Sequence, residues 1–344
     1  MRKVEPLRFA MVGAGFWAHY QLAGWREVGG SRCVAICNRT RSKAEALARE
    51  FDIPAIYTDL EELLGLESLD AVDIVSAPEV HEQHVLLAAR HKVPVICQKP
   101  MATSLAAAER MVEGCRKAGV PFFVHENWRW QTPIRALKRV LDEGSIGAPF
   151  RGRITMISAY SVFINQPFLR TLERFILTDM GSHLLDVARL LFGEADDLYC
   201  QAARVHEDIK GEDVATVMTR TDRGVTVVVS MAYAGNPLEQ DRYPETYIFV
   251  EGDKGSAQLG PDFWVRVTTK DGTHSRRFPP PSYSWVDPRY AVAQASIVPC
   301  VADIMRGLRG EGGAETTGED NLKTLRQVFA AYDSAASGRA VRLA

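Results

Sequence analysis

The sequence predicts a two-domain protein. An α/β domain built on a doubly wound parallel sheet covers residues 1–126, and an α+β domain with a mainly antiparallel, open-faced sheet covers residues 127–344. Three observations predict it. Apolar runs without alternation recur in the first third, each followed by a helical pattern, as a parallel sheet buried on both faces requires. A glycine-rich turn separates the first apolar run from the first helix. After Asn127 the strand patterns alternate and are punctuated by "DRG" and "GDKG" turns, which suits antiparallel pairing.

The elements follow in order. "LRFAMVGAGFWAHYQLAGWREV" is an apolar strand, a glycine turn and a helix; "SRCVAICNRTRSKAEALAREF" repeats the scheme. "LDAVDIVSAPEVHEQHVLLAARHK" and "VPVICQKPMATSLAAAERMVEGCRKAG" repeat it again, and "VPFFVHEN" adds a further strand. Such βα repeats imply right-handed crossovers. The second domain opens with the helix "TPIRALKRVLDEG", with Pro133 in its first turn and Gly144 as its stop. The alternating strands "FRGRITMISAY", "DVATVMTRTD", "GVTVVVSMAYA" and "TYIFVEGDKGSAQL" follow, and helices near "IVPCVADIMRGL" and "GEDNLKTLRQVFAAYDSAA" close the chain. Open sheets of this kind pair between subunits, which points to a homodimer or homotetramer.

Bulk properties exclude several classes. The 344 residues are 46% hydrophobic and 24% charged, an ordinary globular balance. A net charge of −2 leaves no electrostatic footprint for nucleic acid. No window approaches an uninterrupted apolar run of membrane-spanning length. The basic, then apolar, start "MRKVEPLRFAMVGAG" runs into a strand the fold needs and shows no cleavage site. Six cysteines without a C-x-x-C pair read as reduced core thiols, so a cytoplasmic protein is expected.

The turn Gly13-Ala14-Gly15-Phe16-Trp17-Ala18 has the G-x-G-x-x-A arrangement. Gly13 allows the tight turn, Gly15 lets the backbone approach a pyrophosphate, and Ala18 lets the helix pack closely on the strand. The second strand ends in Cys37-Asn38-Arg39-Thr40, with no carboxylate for the adenosine ribose. Arg39 suits a 2′-phosphate, while Asn38 suits ribose hydroxyls, so both NAD and NADP remain open. Lys99 ends the apolar run of "VPVICQKPMATS", either as a solvated charge or as a site residue at the carboxyl end of a strand. In "LTDMGSHLLDVARLLFGE", Asp179, His183 and Asp186 form a stripe at i, i+4 and i+7 opposite Met180, Leu184, Val187 and Leu191. A polar stripe is ordinarily solvated, yet a carboxylate one turn before an imidazole also suits a general base. Asp and His alone give two metal ligands and no third is evident, so no metal is expected. Asn127, Trp128 and Arg129 follow the last parallel strand and are expected to border the nicotinamide pocket, Asn127 on the cofactor and Trp128 and Arg129 on the substrate, or to be packing residues; Tyr160, Phe163 and Asn165 fall in a loop whose aromatic and amide groups suit a polyol.

"CQKP", "HENWRW" and "DMGSH", in that order behind the glycine turn, resemble the glucose–fructose oxidoreductase and inositol dehydrogenase (Gfo/Idh/MocA) family over nearly the whole chain. The resemblance implies a Rossmann domain, a nicotinamide cofactor and oxidation of a sugar or polyol. Lys99-Pro100 matches the end of the family's glutamate-lysine-proline motif, and Asp179 and His183 match its aspartate–histidine pair. Ser76, Ala77 and His81 in "SAPEVH" fall at its cofactor side, with Gln98 in place of the usual glutamate. If that glutamate tunes the lysine, Gln98 should let Lys99 reach the neutral amine more easily. The roles implied are Lys99 on the substrate hydroxyl, His183 as base and Asp179 as its orienting partner. The motif wording is further similar to family members that oxidise a branched pentose to its lactone. A keto-sugar or imine reductase and a non-catalytic dinucleotide-binding regulator are the rival readings.

Overall fold

Unalternating apolar runs become fully buried strands. The computed structural model describes residues 5–164, 166–235 and 239–343. The first unit contains β1 (Leu7–Val12), α1 (Phe16–Val28), β2 (Ser31–Cys37), α2 (Arg41–Phe51), β3 (Ala55–Tyr57), α3 (Leu60–Leu66), β4 (Ala71–Ile74), α4 (His81–Arg90), β5 (Val95–Gln98), α5 (Leu105–Ala118) and β6 (Phe122–His125). The strands lie in the order β3-β2-β1-β4-β5-β6, all parallel. Every residue of β4, β5 and β6 is buried, which explains the missing alternation. Strand order reverses between β1 and β4, so their carboxyl ends form the topological switch point where such sheets bind ligands. Helix α5 shows local control of boundaries: Ser104 Oγ accepts from Ala107 N at 3.2 Å at its start, and Gly119 ends it at φ 69°.

The first unit runs to Asn127 and also contains Ser284–Val286 and Ile297–Lys323, whereas a single cut after residue 126 was expected. Packing explains the return. A Cβ on Gly24 of α1 would lie 2.4 Å from Ile297 Cγ2, so helix Ile297–Leu308 seats directly on the glycine, and Phe122 lies over Gly318 in the same way. Nothing in the amphipathic pattern of that helix says which sheet it covers. The stretch Pro288–Leu308 is apolar enough on average to imitate a membrane span (mean hydropathy 1.3), but 61% of its apolar window is buried, as in a core helix.

The second unit contains α6 (Thr132–Asp142), β7 (Pro149–Ile157), α7 (Ser182–Phe192), β8 (Ala195–Ala203), β9 (Val214–Thr221), β10 (Thr226–Ala232), β11 (Tyr247–Gly252), β12 (Gly255–Gly260), β13 (Trp264–Thr269), β14 (Gly272–Arg277) and β15 (Val341–Arg342). Its strands lie in the order β14-β13-β12-β11-β7-β10-β9-β8-β15, antiparallel except for the neighbours β7 and β10. On β9, Ala215, Val217, Thr219 and Thr221 face inward while Thr216, Met218 and Arg220 face solvent, a clean period of two. Helix α7 lies on the inner face: the Phe192 ring occupies the space above Gly152 of β7, where a Cβ would come within 2.5 Å of it.

All six cysteines are free thiols and five are buried. Burial pushes the Cys33 thiol up to about 12 and the Cys37 thiol up to about 11, so neither is a nucleophile at neutral pH.

Candidate active site

In the first unit the switch point is built by two loops in contact. Gly13 has φ 114°, and its N–H donates to Cys37 O at 2.8 Å. A Cβ there would sit 2.7 Å from Val75 O and 2.9 Å from Ser76 N, so the turn after β1 closes against the one after β4 only because this residue is glycine. Gly15 is different: it is the N-cap of α1, at φ −84°, and a Cβ would meet nothing within 4 Å. No side chain caps α1 and its first turn carries no acid, so the amide end of the helix is open to an anionic ligand. Beside it, Gly15, Phe16, Tyr20 and Lys43 line a cleft of about 420 Å³. Phe16 is half exposed and Trp17 partly buried. These features fit a dinucleotide: a glycine with room for a phosphate, helix amides to hold it, and a cleft alongside.

Asn38 does not reach toward a ribose. Its Oδ1 accepts from Ala14 N at 3.0 Å and its Nδ2 donates to Thr40 O at 2.8 Å, so the side chain braces the glycine turn. Arg39 is exposed.

His81 also departs from expectation. Its ring is fully buried, with Nε2 3.0 Å from Ser76 O and Nδ1 3.2 Å and 3.3 Å from Pro100 O and Met101 O. Both nitrogens lie beside backbone carbonyls, and the neutral ring donates its single N–H to one of the two sides, so the residue is packed between the Ser76 turn and the segment after β5. Burial lowers its pKa, which favours the neutral ring. Ser76 Oγ lies 3.2 Å from His84 Nδ1, and Ala77 beside it is exposed.

Lys99 follows the last residue of β5, at the carboxyl edge of the sheet beside β4 and β6. Its N–H donates to Gln98 Oε1 at 3.0 Å, and its peptide bond to Pro100 is cis. Gln98 is itself buried and continues into a polar chain. Gln98 Nε2 donates to Gln21 Oε1 at 2.6 Å and lies 3.2 Å from His125 Nδ1. Gln21 Nε2 donates to Asp73 Oδ1 at 2.6 Å, and Trp25 Nε1 donates to Asp73 Oδ2 at 2.7 Å. Asp73 is wholly buried, and desolvation pushes its carboxyl up to about 6 despite the two donors. Sequence reasoning missed this chain; the signal was an aspartate inside the apolar run "LDAVDIVS". Asn127, the last residue of this stretch of the unit, is also buried.

In the second unit Asp179 lies in a single π-helical turn, Leu177–Gly181, that runs directly into α7 and His183. A π turn inserts a residue into helical spacing and is commonly functional; the i, i+4 reading did not foresee it. Its entry is capped by Glu212, whose carboxylate accepts from Phe175 N and Leu177 N at 3.2 Å and 3.0 Å and from the Tyr332 hydroxyl at 2.8 Å. His183 is buried, with its ring stacked on Trp128 at 4.4 Å. Trp128 Nε1 donates to Thr246 Oγ1 at 3.0 Å.

Of the expected Asp179–His183–Asp186 stripe, Asp186 has structural partners of its own. Asp186 is fully buried and pairs bidentately with Arg129, through Nε at 2.7 Å and Nη2 at 2.5 Å. It also accepts from Thr324 Oγ1 at 3.1 Å. Arg129, expected to bind substrate, is thereby a strut of the unit, because a desolvated guanidinium needs its carboxylate. Phe163, expected in a binding loop, is a core residue packed at 5.5 Å from the Phe175 ring. Asn165 lies outside the described residues. Tyr160 stacks on Tyr243 at 4.4 Å, and its hydroxyl lies 2.8 Å from that of Tyr290. The charge of Asp179 adds to desolvation in raising the pKa of Tyr233 and Tyr243, which places the carboxylate near these phenols. Among the described residues no three His, Cys, Asp or Glu side chains are placed to hold a metal ion.

Residues 7–126 match the model of the oxidoreductase family with an NAD-binding Rossmann fold, and residues 134–258 match the GFO/IDH/MocA C-terminal domain. The chain is 41% identical to a D-apiose dehydrogenase of Paraburkholderia graminis over 340 residues, covering 99% of this chain and 90% of that protein. It is 40% identical to the D-apiose dehydrogenase of Rhizobium rhizogenes over 338 residues, covering 98% of each. An oxidoreductase from Agrobacterium radiobacter, solved in complex with NAD+, L-tartaric acid and magnesium, superposes with a TM-score of 0.95 at 40% identity and 98% coverage of both chains. With both domain models matched and likeness running the length of the chain, this protein belongs to the GFO/IDH/MocA oxidoreductase family.

Proposed function

We propose that the protein is an NAD(P)-dependent dehydrogenase that oxidises a hydroxyl or lactol of a free sugar or polyol, with D-apiose oxidised to its lactone as the specific reaction. One observation carries the reading: the sheet that offers an uncapped, unobstructed helix start at Gly15 also ends β5 in Lys99. The 40–41% likeness to two D-apiose dehydrogenases supports the narrower substrate. A nicotinamide held at the switch point supplies the hydride acceptor. Lys99 donates a hydrogen bond to the reacting hydroxyl and favours the negative charge that develops on its oxygen. His183 takes the hydroxyl proton, and Asp179 holds the imidazole in the orientation for that transfer. Tyr160, whose ring is stacked on Tyr243, borders the sugar in this reading. We further infer a cytoplasmic homodimer or homotetramer joined through the solvent face of the large sheet, where Met218 and Trp264 are about half exposed at 50% and 47%.

The test is a screen of purified protein with free and phosphorylated sugars, using NAD+ and NADP+ in parallel and following the reduced nicotinamide. D-apiose should give the highest kcat/KM, and Lys99→Ala and His183→Ala should each abolish it. A myo-inositol rate exceeding the apiose rate would replace the substrate, and unchanged rates in both variants would remove the assigned roles.

A further inference from the structure

We propose that Asp73, acting through Gln21 and Gln98, is the positioning charge for Lys99: a buried polar relay of fixed direction holds the Lys99 backbone. The inference rests on the dehydrogenase reading only in naming Lys99 as a site residue. The relay itself is read from geometry within the first unit.

The direction follows from what each group can do. An ionised carboxylate accepts hydrogen bonds and cannot donate them. Asp73 Oδ1 therefore requires the NH2 end of Gln21, 2.6 Å away. That leaves Gln21 Oε1 facing Gln98, which must present its own NH2 end, again at 2.6 Å. Gln98 Oε1 is then the atom left to face Lys99 N–H, and it accepts from it at 3.0 Å. The second Gln98 amide hydrogen points to His125 Nδ1 at 3.2 Å, which must be the acceptor nitrogen of that ring. Neither amide can be flipped without setting donor against donor or acceptor against acceptor. Trp25, one helical turn after Gln21 on α1, secures the other oxygen of Asp73 at 2.7 Å. Burial of Asp73, Gln21, Trp25, Gln98 and His125 makes a mismatch expensive, since an orphaned polar group in the interior keeps its whole desolvation penalty.

The same logic accounts for glutamine at position 98. A carboxylate there would face Gln21 Oε1, two acceptors at hydrogen-bond distance, and would bury a second negative charge close to Asp73. Moving the charge instead of adding one restores the relay in reverse. When Asp73→Asn and Gln98→Glu are combined, the new amide at position 73 keeps its oxygen for Trp25 and turns its NH2 to Gln21 Oε1. Gln21 then donates to one oxygen of the new carboxylate at position 98, His125 moves its proton to Nδ1 and donates to that same oxygen, and the other oxygen still accepts from Lys99 N–H. Each single change leaves a mismatch: Asp73→Asn alone turns both glutamines over and presents an NH2 to the Lys99 N–H.

The experiment is a double-mutant cycle on the full-length protein, comparing parent, Asp73→Asn, Gln98→Glu and the double variant. Amide hydrogen exchange of the segment around Lys99 is read first. Each single variant should lose about tenfold or more of the protection at the Lys99 amide, and the double variant should return to within about threefold of the parent. With NAD+ and D-apiose as probes, kcat should follow the same pattern while KM for NAD+ stays unchanged. Singles that fail to fold beside a double that folds would support the relay in its strongest form. A double variant whose losses equal the sum of the singles, or that folds no better than they do, overturns it, as does parent-like protection in Asp73→Asn. A parent that oxidises no sugar defeats the dehydrogenase reading alone, because the exchange measurement decides the relay without turnover.

Discussion

The indole of Trp128 lies against the imidazole of His183, with ring centroids 4.4 Å apart and planes inclined by 22°. The indole is fixed in turn by its N–H on Thr246 Oγ1. One face of the histidine is thus shielded from water and its ring rotation is restricted. That is the condition a general base needs, since transfer requires the ring nitrogen within hydrogen-bond reach at the right angle.

Replacing Trp128 should therefore act on chemistry before binding. Trp128→Phe keeps a stacked ring and should hold kcat within about threefold, whereas Trp128→Leu should lower kcat about tenfold or more with little change in substrate KM. Both variants lose the Thr246 bond, so melting temperature should fall in both, by more in Leu because more aromatic contact is lost. Steady-state kinetics beside thermal unfolding separates the two effects. Equal kcat in both variants would show that stacking on His183 does not matter.

Most of this architecture was legible in the sequence because it depends on local patterns. Burial on both faces makes β4 to β6 uniformly apolar, and burial on one face makes β9 alternate. Gly13 was legible because a tight turn needs its backbone freedom. The failures are non-local. Arg129 looked available for a substrate until Asp186, 57 residues away, was found to hold it. Phe163 sat in a polar-looking loop, but its ring faces Phe175. His81 stood where a cofactor contact was expected, and its buried ring lies between the carbonyls of two chain segments. Glu212 caps the π turn from a part of the chain with no motif to mark it. Side-chain type and spacing identify what a residue can do, whereas the partner it meets is set by tertiary folding.

The Arg129–Asp186 pair predicts a stability effect. Removing Arg129 leaves the buried Asp186 carboxylate only Thr324 and the more distant Arg189, at 3.6 Å, so Arg129→Ala should lower the unfolding free energy by about 3 kcal/mol. Arg129→Lys should recover only part of it, because an ammonium cannot reproduce the bidentate fork at 2.7 Å and 2.5 Å. Urea unfolding of the three proteins measures this directly. A loss confined to substrate KM, with unfolding unchanged, would return Arg129 to the binding site.

His81 predicts a pH dependence. Its folded pKa lies below the ordinary 6.5 because burial disfavours the imidazolium. Below 6.5 the unfolded chain therefore binds a proton at this residue that the folded chain resists, so stability contributed here rises with pH and is lost as pH falls below 6.5. His81→Gln, which can still donate to a carbonyl but cannot take up the proton, should show a shallower decline over that window. Unfolding curves at several pH values compare the slopes, and identical slopes would mean that His81 protonates freely in the fold.

Gly13 and Gly15 separate folding from cofactor binding within one turn. At Gly13 an alanine must adopt φ 114° and press its Cβ to within 2.7 Å of Val75 O, so Gly13→Ala should cost folding free energy of about 1–3 kcal/mol from strain alone and more from the collision. At Gly15 the backbone is extended at φ −84° and a Cβ meets nothing within 4 Å of protein, so Gly15→Ala should melt as the parent does. The space that the new methyl would fill is the space a pyrophosphate needs to reach the α1 amides, so the same substitution should raise the dissociation constant for NAD+ about tenfold or more. Calorimetric titration with NAD+ and thermal unfolding, run on both variants, test the contrast. If Gly15→Ala bound NAD+ as tightly as the parent, the cofactor would have to approach the switch point by some other route than the open start of α1.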